Sequence, residues 1–131
     1  MRCCTRSRNS SRCLTRFACY GLSKSPKMIL IKGIPFKKIQ GITLFPFIIV
    51  QPKKPSMVLL NHERIHIRQQ LELLVIPFYV WYLVEWLYHY TKCRHGWAAY
   101  RRISFEQEAY NNEADFNYLK NRKLWGFWKY R

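Results

Sequence analysis

The segment from Leu71 to Tyr90 constrains the fold more than any other part of the chain, because it is the most hydrophobic stretch and must be kept out of water. Residues 73–90 are close to the shortest helix that spans a bilayer, and their Trp and Tyr content is typical of membrane interfaces. Pro77 lacks the N–H that a helix interior needs, so we expect the helix to kink or break there. A chain of 131 residues is one domain's worth of protein. The segment therefore crosses a membrane or packs against the rest of that domain.

His62, Glu63 and His66 form the motif His-Glu-Arg-Ile-His just before this segment. Recurrence of apolar residues at steps of three and four predicts a helix over 56–70 that starts near Pro55 or Ser56. Residues four apart share one face of a helix, so both imidazoles can reach a single zinc ion. Glu63 is turned by about 100° from His62. It is the predicted general base, which takes a proton from the attacking water and passes it to the leaving amine.

A second acidic segment, Glu106-Gln-Glu-Ala-Tyr110, lies forty residues beyond His66. We predict a helix here that begins near Ser104 in a capping box with Gln107 and ends by Lys123. Together the two motifs resemble the gluzincin metallopeptidases over residues 42–119. The most similar types are the membrane metallopeptidases of the CAAX-prenyl and heat-shock type and the ImmA/IrrE-like proteases.

The resemblance implies that Glu106 is the third zinc ligand and that Ala109 is the small residue that lets the two helices approach closely. Glu108 and Glu113 are the alternative ligands. The remaining position of such a site is left open for water.

The sequence departs from the family pattern at three positions. Tyr110 stands where the family has an Asp or Asn that contacts a ligating histidine. Arg64 and Arg68 lie beside the two histidines, where the family prefers uncharged residues. They are four residues apart and share a different helix face, so we expect them to point to solvent.

Several other polar residues are candidates for supporting roles. Gln69 and Gln70 are placed to orient the ligands, although exposure on a helix explains them equally well. Donors to a transition-state oxyanion can be sought among His89, His95, Tyr110, Arg101 and Arg102. A lone histidine at a helix end is more often a cap.

A bilayer crossing by residues 73–90 is incompatible with the three-ligand site. It would put His62 and His66 on one side and Glu106 on the other, since 91–105 are too few and too polar to cross back. We therefore expect a hydrophobic hairpin over 71–90 that lies in or against a membrane face or a partner. A single transmembrane helix at 73–90 is the alternative.

Residues 28–50 predict a short β-sheet ahead of the helices, because β-branched and aromatic residues there are interrupted by Gly and Pro. The expected strands are 28–32, 37–44 and 47–50. The predicted fold is α+β and mainly helical, with a long HExxH helix, a second ligand-bearing helix and an edge strand that can hold an extended peptide. Residues 28–131 form this single domain, and residues 1–27 are a basic unstructured leader or an overextended start.

The basic residues are unevenly distributed. Residues 1–61 contain 12 Lys and Arg and no acid, whereas residues 62–131 contain 11 basic and all 7 acidic residues. Contact with anionic headgroups explains this excess better than nucleic-acid binding, which is the weaker alternative. Four of the five cysteines fall in residues 1–19 without metal-site spacing, so free thiols on the reducing, cytoplasmic side of a membrane are expected.

The leading hypothesis is a zinc-dependent metallopeptidase that acts on a peptide or protein substrate and associates with an anionic membrane surface. The alternative is a non-catalytic, basic and aromatic-rich membrane protein or anchor in which the HExxH motif is incidental.

Overall fold

The computed structural model describes residues 27–35 and 40–131 and has the predicted α+β class. Three short strands precede a set of helices. The strands are β1 (Ile29–Lys32), β2 (Gly41–Leu44) and β3 (Phe47–Val50). The helices are α1 (Met57–Leu73), α2 (Val75–Cys93), α3 (Gly96–Tyr100), α4 (Ser104–Asn112) and α5 (Tyr118–Asn121), followed by a 3-10 turn at Gly126–Tyr130. The leader, four of the cysteines and residues 37–39 of the second predicted strand lie outside the described residues, and Cys93 is a free thiol.

The sheet has the order β1-β3-β2, with β1 parallel and β2 antiparallel to the central strand β3. Strand β2 is therefore an edge and packs against α1, and Ile48 and Val50 of β3 share a buried cluster with Ile67 of α1. Gln40 accepts a hydrogen bond from the N–H of Gln51, so the main chain of Gln40 faces β3. Because the pattern alternates along an antiparallel pair, the main-chain groups of Gly41 and Thr43 face away from the sheet, toward α1.

Helix α1 begins where the sequence predicts. Ser56 caps it by accepting a hydrogen bond from the N–H of Leu59 at 3.1 Å. The expected break at Pro77 is wrong in position, since the chain turns by 110° at Leu74. Pro77 is the third residue of α2, a position whose N–H would have no partner within the helix, so the missing N–H costs nothing there. If α1 continued past Leu73, the Pro77 ring would clash with the carbonyl of Leu73.

Within the described ranges, no single helix has the length and hydropathy of a bilayer span. Helices α1 and α2 meet that criterion only as a bent pair. After α2 the chain returns through α3 to α4, which packs on α1. The aromatic core between these helices contains Leu73, Phe78, Ile103, Phe105 and Phe127. The turn at Leu74 and this return bring the second motif back beside the first.

The predicted start of this helix near Ser104 is confirmed, but the predicted capping box is wrong. Ile103 is the N-cap residue without a side-chain cap, and α4 ends at Asn112. Glu85 of α2 takes the capping role, because its carboxylate accepts from the N–H of Ser104 at 2.7 Å and from the Ser104 hydroxyl at 2.9 Å. Gln107 instead donates to the carbonyl of Arg101. A buried acid from another helix thus fixes the start of α4.

Glu85→Ala should lower the free energy of unfolding by about 2–4 kcal/mol, because it leaves buried donors of Ser104 and Trp81 without an acceptor. Ser104→Ala removes one of these bonds and should cost about 1 kcal/mol. Urea denaturation of the full chain measures both changes. Equal midpoints for Glu85→Ala and the unmodified chain would rule out the capping role.

Candidate metal centre

Three side chains from the two predicted motifs meet in the interior. His62 and His66 project from α1 and Glu106 from α4, and all three are buried. The two Nε2 atoms are 3.1 Å apart, and the Glu106 carboxylate lies 3.2 Å from Nε2 of His66 and 3.5 Å from Nε2 of His62. Ligand atoms about 2.0–2.1 Å from a tetrahedral ion are separated by about 3.3 Å, so this spacing suits one ion. The group could hold a metal ion.

The partner of His66 fixes its tautomer. The Gln69 amide nitrogen faces two acceptors, the Phe105 carbonyl at 3.1 Å and the Glu108 carboxylate at 2.9 Å. The Gln69 oxygen must therefore face His66, whose Nδ1 lies 2.8 Å away. Nδ1 of His66 carries the proton and donates a hydrogen bond to the Gln69 oxygen. In the neutral ring the lone pair is therefore on Nε2.

His62 is held in the same way by a carboxylate. Its Nδ1 lies 2.8 Å from Oε2 of Glu113, which can only accept when ionised. Both rings of the pair therefore turn their Nε2 lone pairs toward Glu106. Hydrogen bonding of the second ring nitrogen to an acceptor is typical of metal-ligating histidines.

The converging atoms form an electron-rich pocket. Oε1 of Glu106 accepts a hydrogen bond from the Tyr82 hydroxyl at 2.8 Å, whereas the buried Oε2 has no hydrogen-bond partner in the part of the chain that the structure describes. Burial lowers the pKa of His66, but the charge of Glu106 outweighs this effect and raises the pKa to about 9. Burial opposes ionisation of Glu106, yet His66 holds its pKa well below the usual range. The pocket therefore stabilises positive charge.

Glu63 lies next to this group. It is buried, accepts a hydrogen bond from the Thr43 hydroxyl and borders a cavity of about 150 Å³ that His66 and Glu106 also line. Its carboxylate lies against the α-carbon of Gly41, so that a side chain at position 41 would overlap it. The close approach of Gly41 at the sheet edge thus keeps the carboxylate of Glu63 beside the cavity.

The two alternative ligands have other partners. Glu113 contacts the outer nitrogen of His62, and Glu108 is fully buried with Gln69, Tyr118 and Arg122 as hydrogen-bond donors. Among the residues described, neither belongs to the His-His-Glu group. Glu113 makes the contact to His62 that the resemblance assigned to the position of Tyr110, and its seven-residue spacing from Glu106 was the available signal.

Tyr110 packs edge-on against the ring of His62, with centroids 4.6 Å apart. The guanidinium of Arg101 stacks over the ring of Tyr110 at 3.8 Å.

Arg68 is half exposed, which confirms that it faces solvent, and it pairs with Glu72 at 3.6 Å. His95 caps α3 by accepting from the N–H of Ala98 at 3.3 Å, which confirms the capping interpretation.

The edge of β2 beside the cavity is partly occupied by side chains that the sequence did not single out for it. The Gln70 amide donates to the Thr43 carbonyl at 2.8 Å and accepts from the Phe45 N–H at 2.9 Å. Tyr79 also donates to the Thr43 carbonyl. The outward N–H of Thr43 and carbonyl of Gly41 have no hydrogen-bond partner among residues 27–35 and 40–131.

No protein-family model matches the chain, no curated protein matches its sequence, and no solved structure matches it.

Glu113→Gln should weaken the affinity for Zn²⁺ by about 10- to 100-fold, because the anionic acceptor that orients His62 is lost. Competition with a chromophoric chelator measures the affinity. Asp115→Asn is the matched control, since it removes one negative charge from an exposed acid nearby. Equal affinities of the two variants would show that Glu113 does not support His62.

Proposed function

We propose that this protein is a zinc-dependent metallopeptidase of the gluzincin type, with Glu63 as its general base. The observation that carries the proposal is the convergence of two Nε2 lone pairs and the Glu106 carboxylate on one buried point beside a second buried carboxylate. Each of the two nitrogens is fixed in direction by an acceptor on the opposite side of its ring.

The donor set favours zinc. Two imidazoles with one carboxylate are typical of catalytic zinc sites, whereas Mg²⁺ and Ca²⁺ are bound mainly by oxygen. When bound, zinc polarises a carbonyl group and lowers the pKa of water. His62, His66 and Glu106 would be the residues that hold it.

The residues around the cavity supply the remaining steps. The Glu63 carboxylate accepts a proton from the attacking water and then delivers it to the leaving amine. Thr43 and the close approach of Gly41 keep that carboxylate in place. Burial and the neighbouring Glu106 charge raise the pKa of Tyr82, so its hydroxyl stays protonated and orients Glu106.

A peptide substrate is supported by the free part of the β2 edge. The Thr43 N–H and the Gly41 carbonyl can pair with one extended residue beside the cavity, as in β-strand addition. Gln70 and Tyr79 occupy the next pairing position, so the edge binds a short stretch of peptide backbone. Peptides fit this edge better than substrates without a backbone amide.

Glu63→Gln should lower hydrolysis of a fluorogenic peptide mixture by at least about 100-fold while leaving zinc stoichiometry unchanged, because it removes the proton acceptor but no ligand. A chelator should abolish the activity of the unmodified protein, and added Zn²⁺ should restore it. Activity that survives in Glu63→Gln, or that a chelator does not affect, would contradict the mechanism.

Gly41→Ala should reduce turnover with little change in zinc affinity, because the added methyl group displaces the flexible end of Glu63 rather than a ligand. Gly96→Ala is the control, since its added methyl group meets no atom closer than 3.6 Å. Kinetics with zinc titration separate the two effects. A Gly41→Ala protein as active as Gly96→Ala would show that the edge of β2 does not position the base.

The second candidate is a membrane-bound protein that does not hydrolyse peptides. The exposed apolar face of α2 favours it. Full zinc binding with no chelator-sensitive activity in the unmodified chain would decide for this candidate.

A further inference from the structure

We propose that α2 lies flat on an anionic lipid bilayer, with one exposed face inserted among the acyl chains. This inference does not depend on the metal centre or on catalysis. It rests on the exposure of α2 and on the distribution of charge over the surface.

The apolar side chains of α2 fall on one stripe that the rest of the domain leaves uncovered. Ile76 is 77% exposed, Val80 59% and Val84 60%, and Leu83 and Leu87 are also exposed. At 100° per residue these five positions cover about 100° of the helix circumference. The buried residues of α2, Phe78 and Glu85, lie on the opposite side. The helix is therefore packed by one face and bare on the other.

A cleft runs beside the stripe. Its volume is about 1070 Å³, and Ile76, Val80 and Val84 form part of its wall. Arg102 and Arg131 also line it. Glu85 is the one acid among the described residues that line the cleft. It is buried, accepts hydrogen bonds from Ser104 and Trp81, and lies 3.8 Å from the guanidinium of Arg131. The cleft thus combines an apolar wall with cationic groups, which complements an acyl chain and its anionic headgroup.

The charge distribution identifies the occupant as an anionic surface. Thirteen lysines and arginines are exposed in the described residues, whereas Asp115 is the one exposed acid among them. Glu63, Glu106 and Glu108 are buried, and Glu72 is covered by Arg122. With most carboxylates inside and most basic groups outside, headgroup attraction and apolar insertion act together.

Exposed aromatic residues strengthen the assignment to a membrane rather than to nucleic acid. Tyr88 and Tyr90 are exposed near the end of α2. Trp97 on α3 is also exposed, and so are Trp125 and Trp128 in the C-terminal segment. Trp and Tyr are enriched at the level of lipid headgroups. A nucleic-acid surface would not require the bare aliphatic stripe.

The test is binding of the full chain to vesicles of phosphatidylcholine alone and of phosphatidylcholine mixed with phosphatidylglycerol. The unmodified protein should prefer the anionic vesicles, and salt should weaken this preference. The double variant Val80→Glu, Val84→Glu should lower the partition coefficient at least about tenfold, because two inserted side chains become charged. Leu83→Glu, Leu87→Glu is a second, independent pair on the same stripe.

Ile29→Glu is the matched control, since Ile29 is 50% exposed on β1, the edge strand on the other side of the sheet from β2. It should bind vesicles as the unmodified chain does, and circular dichroism verifies that each variant is folded. The proposal is overturned if folded stripe variants bind as tightly as Ile29→Glu. It is also overturned if the protein resists extraction with alkaline carbonate, which indicates a spanning segment, or if it prefers duplex DNA to anionic vesicles.

Discussion

The structure depends on the placement of two imidazole nitrogens 3.1 Å apart in a buried site. Each ring donates a hydrogen bond from its protonated Nδ1 to an acceptor, so the two Nε2 lone pairs face the same point as a Glu106 oxygen that has no hydrogen-bond partner among the described residues. Such an arrangement is costly unless a positive charge lies between the three atoms. A proton or a metal ion satisfies it, and the tetrahedral spacing favours the metal.

The fold can be understood as the means of completing this site. Helix α1 supplies two atoms of the group, but the third arrives only because the chain turns at Leu74 and returns through α3. Glu85 then fixes the first turn of α4, two residues before Glu106. Behind the site, Gln69 connects His66 to Glu108, which Arg122 neutralises. The C-terminal segment thus stabilises the orientation of His66 through Glu108 and Gln69.

Local patterns in the sequence predicted the elements that local forces determine. The period of α1, its Ser56 cap and the strands at 29–32 and 47–50 follow from neighbouring residues. Glu106 was implied by resemblance, and the structure places it beside both histidines. The exact turn was not predictable, because Pro77 restricts the residues before it without specifying which one leaves the helix.

Contacts between distant residues escaped prediction for a related reason. The capping box at Ser104 was a valid local pattern, but an acid nineteen residues away displaced it. The sequence left Gln70 either a ligand-orienting role or ordinary helix polarity, and only the packing of β2 on α1 shows that it pairs with the strand edge. Nothing in the spacing of single residues records these long-range hydrogen bonds.

X-ray absorption at the zinc edge, on full-length protein loaded with one equivalent of Zn²⁺, tests the central claim most directly. The account predicts that zinc has two imidazole nitrogens and carboxylate or water oxygen at about 2.0–2.2 Å. This coordination should be lost in Glu106→Gln and in His66→Ala. A sulfur shell at a Zn–S distance of about 2.3 Å would assign the zinc to the cysteines instead and contradict the account. So would a failure to bind zinc stoichiometrically.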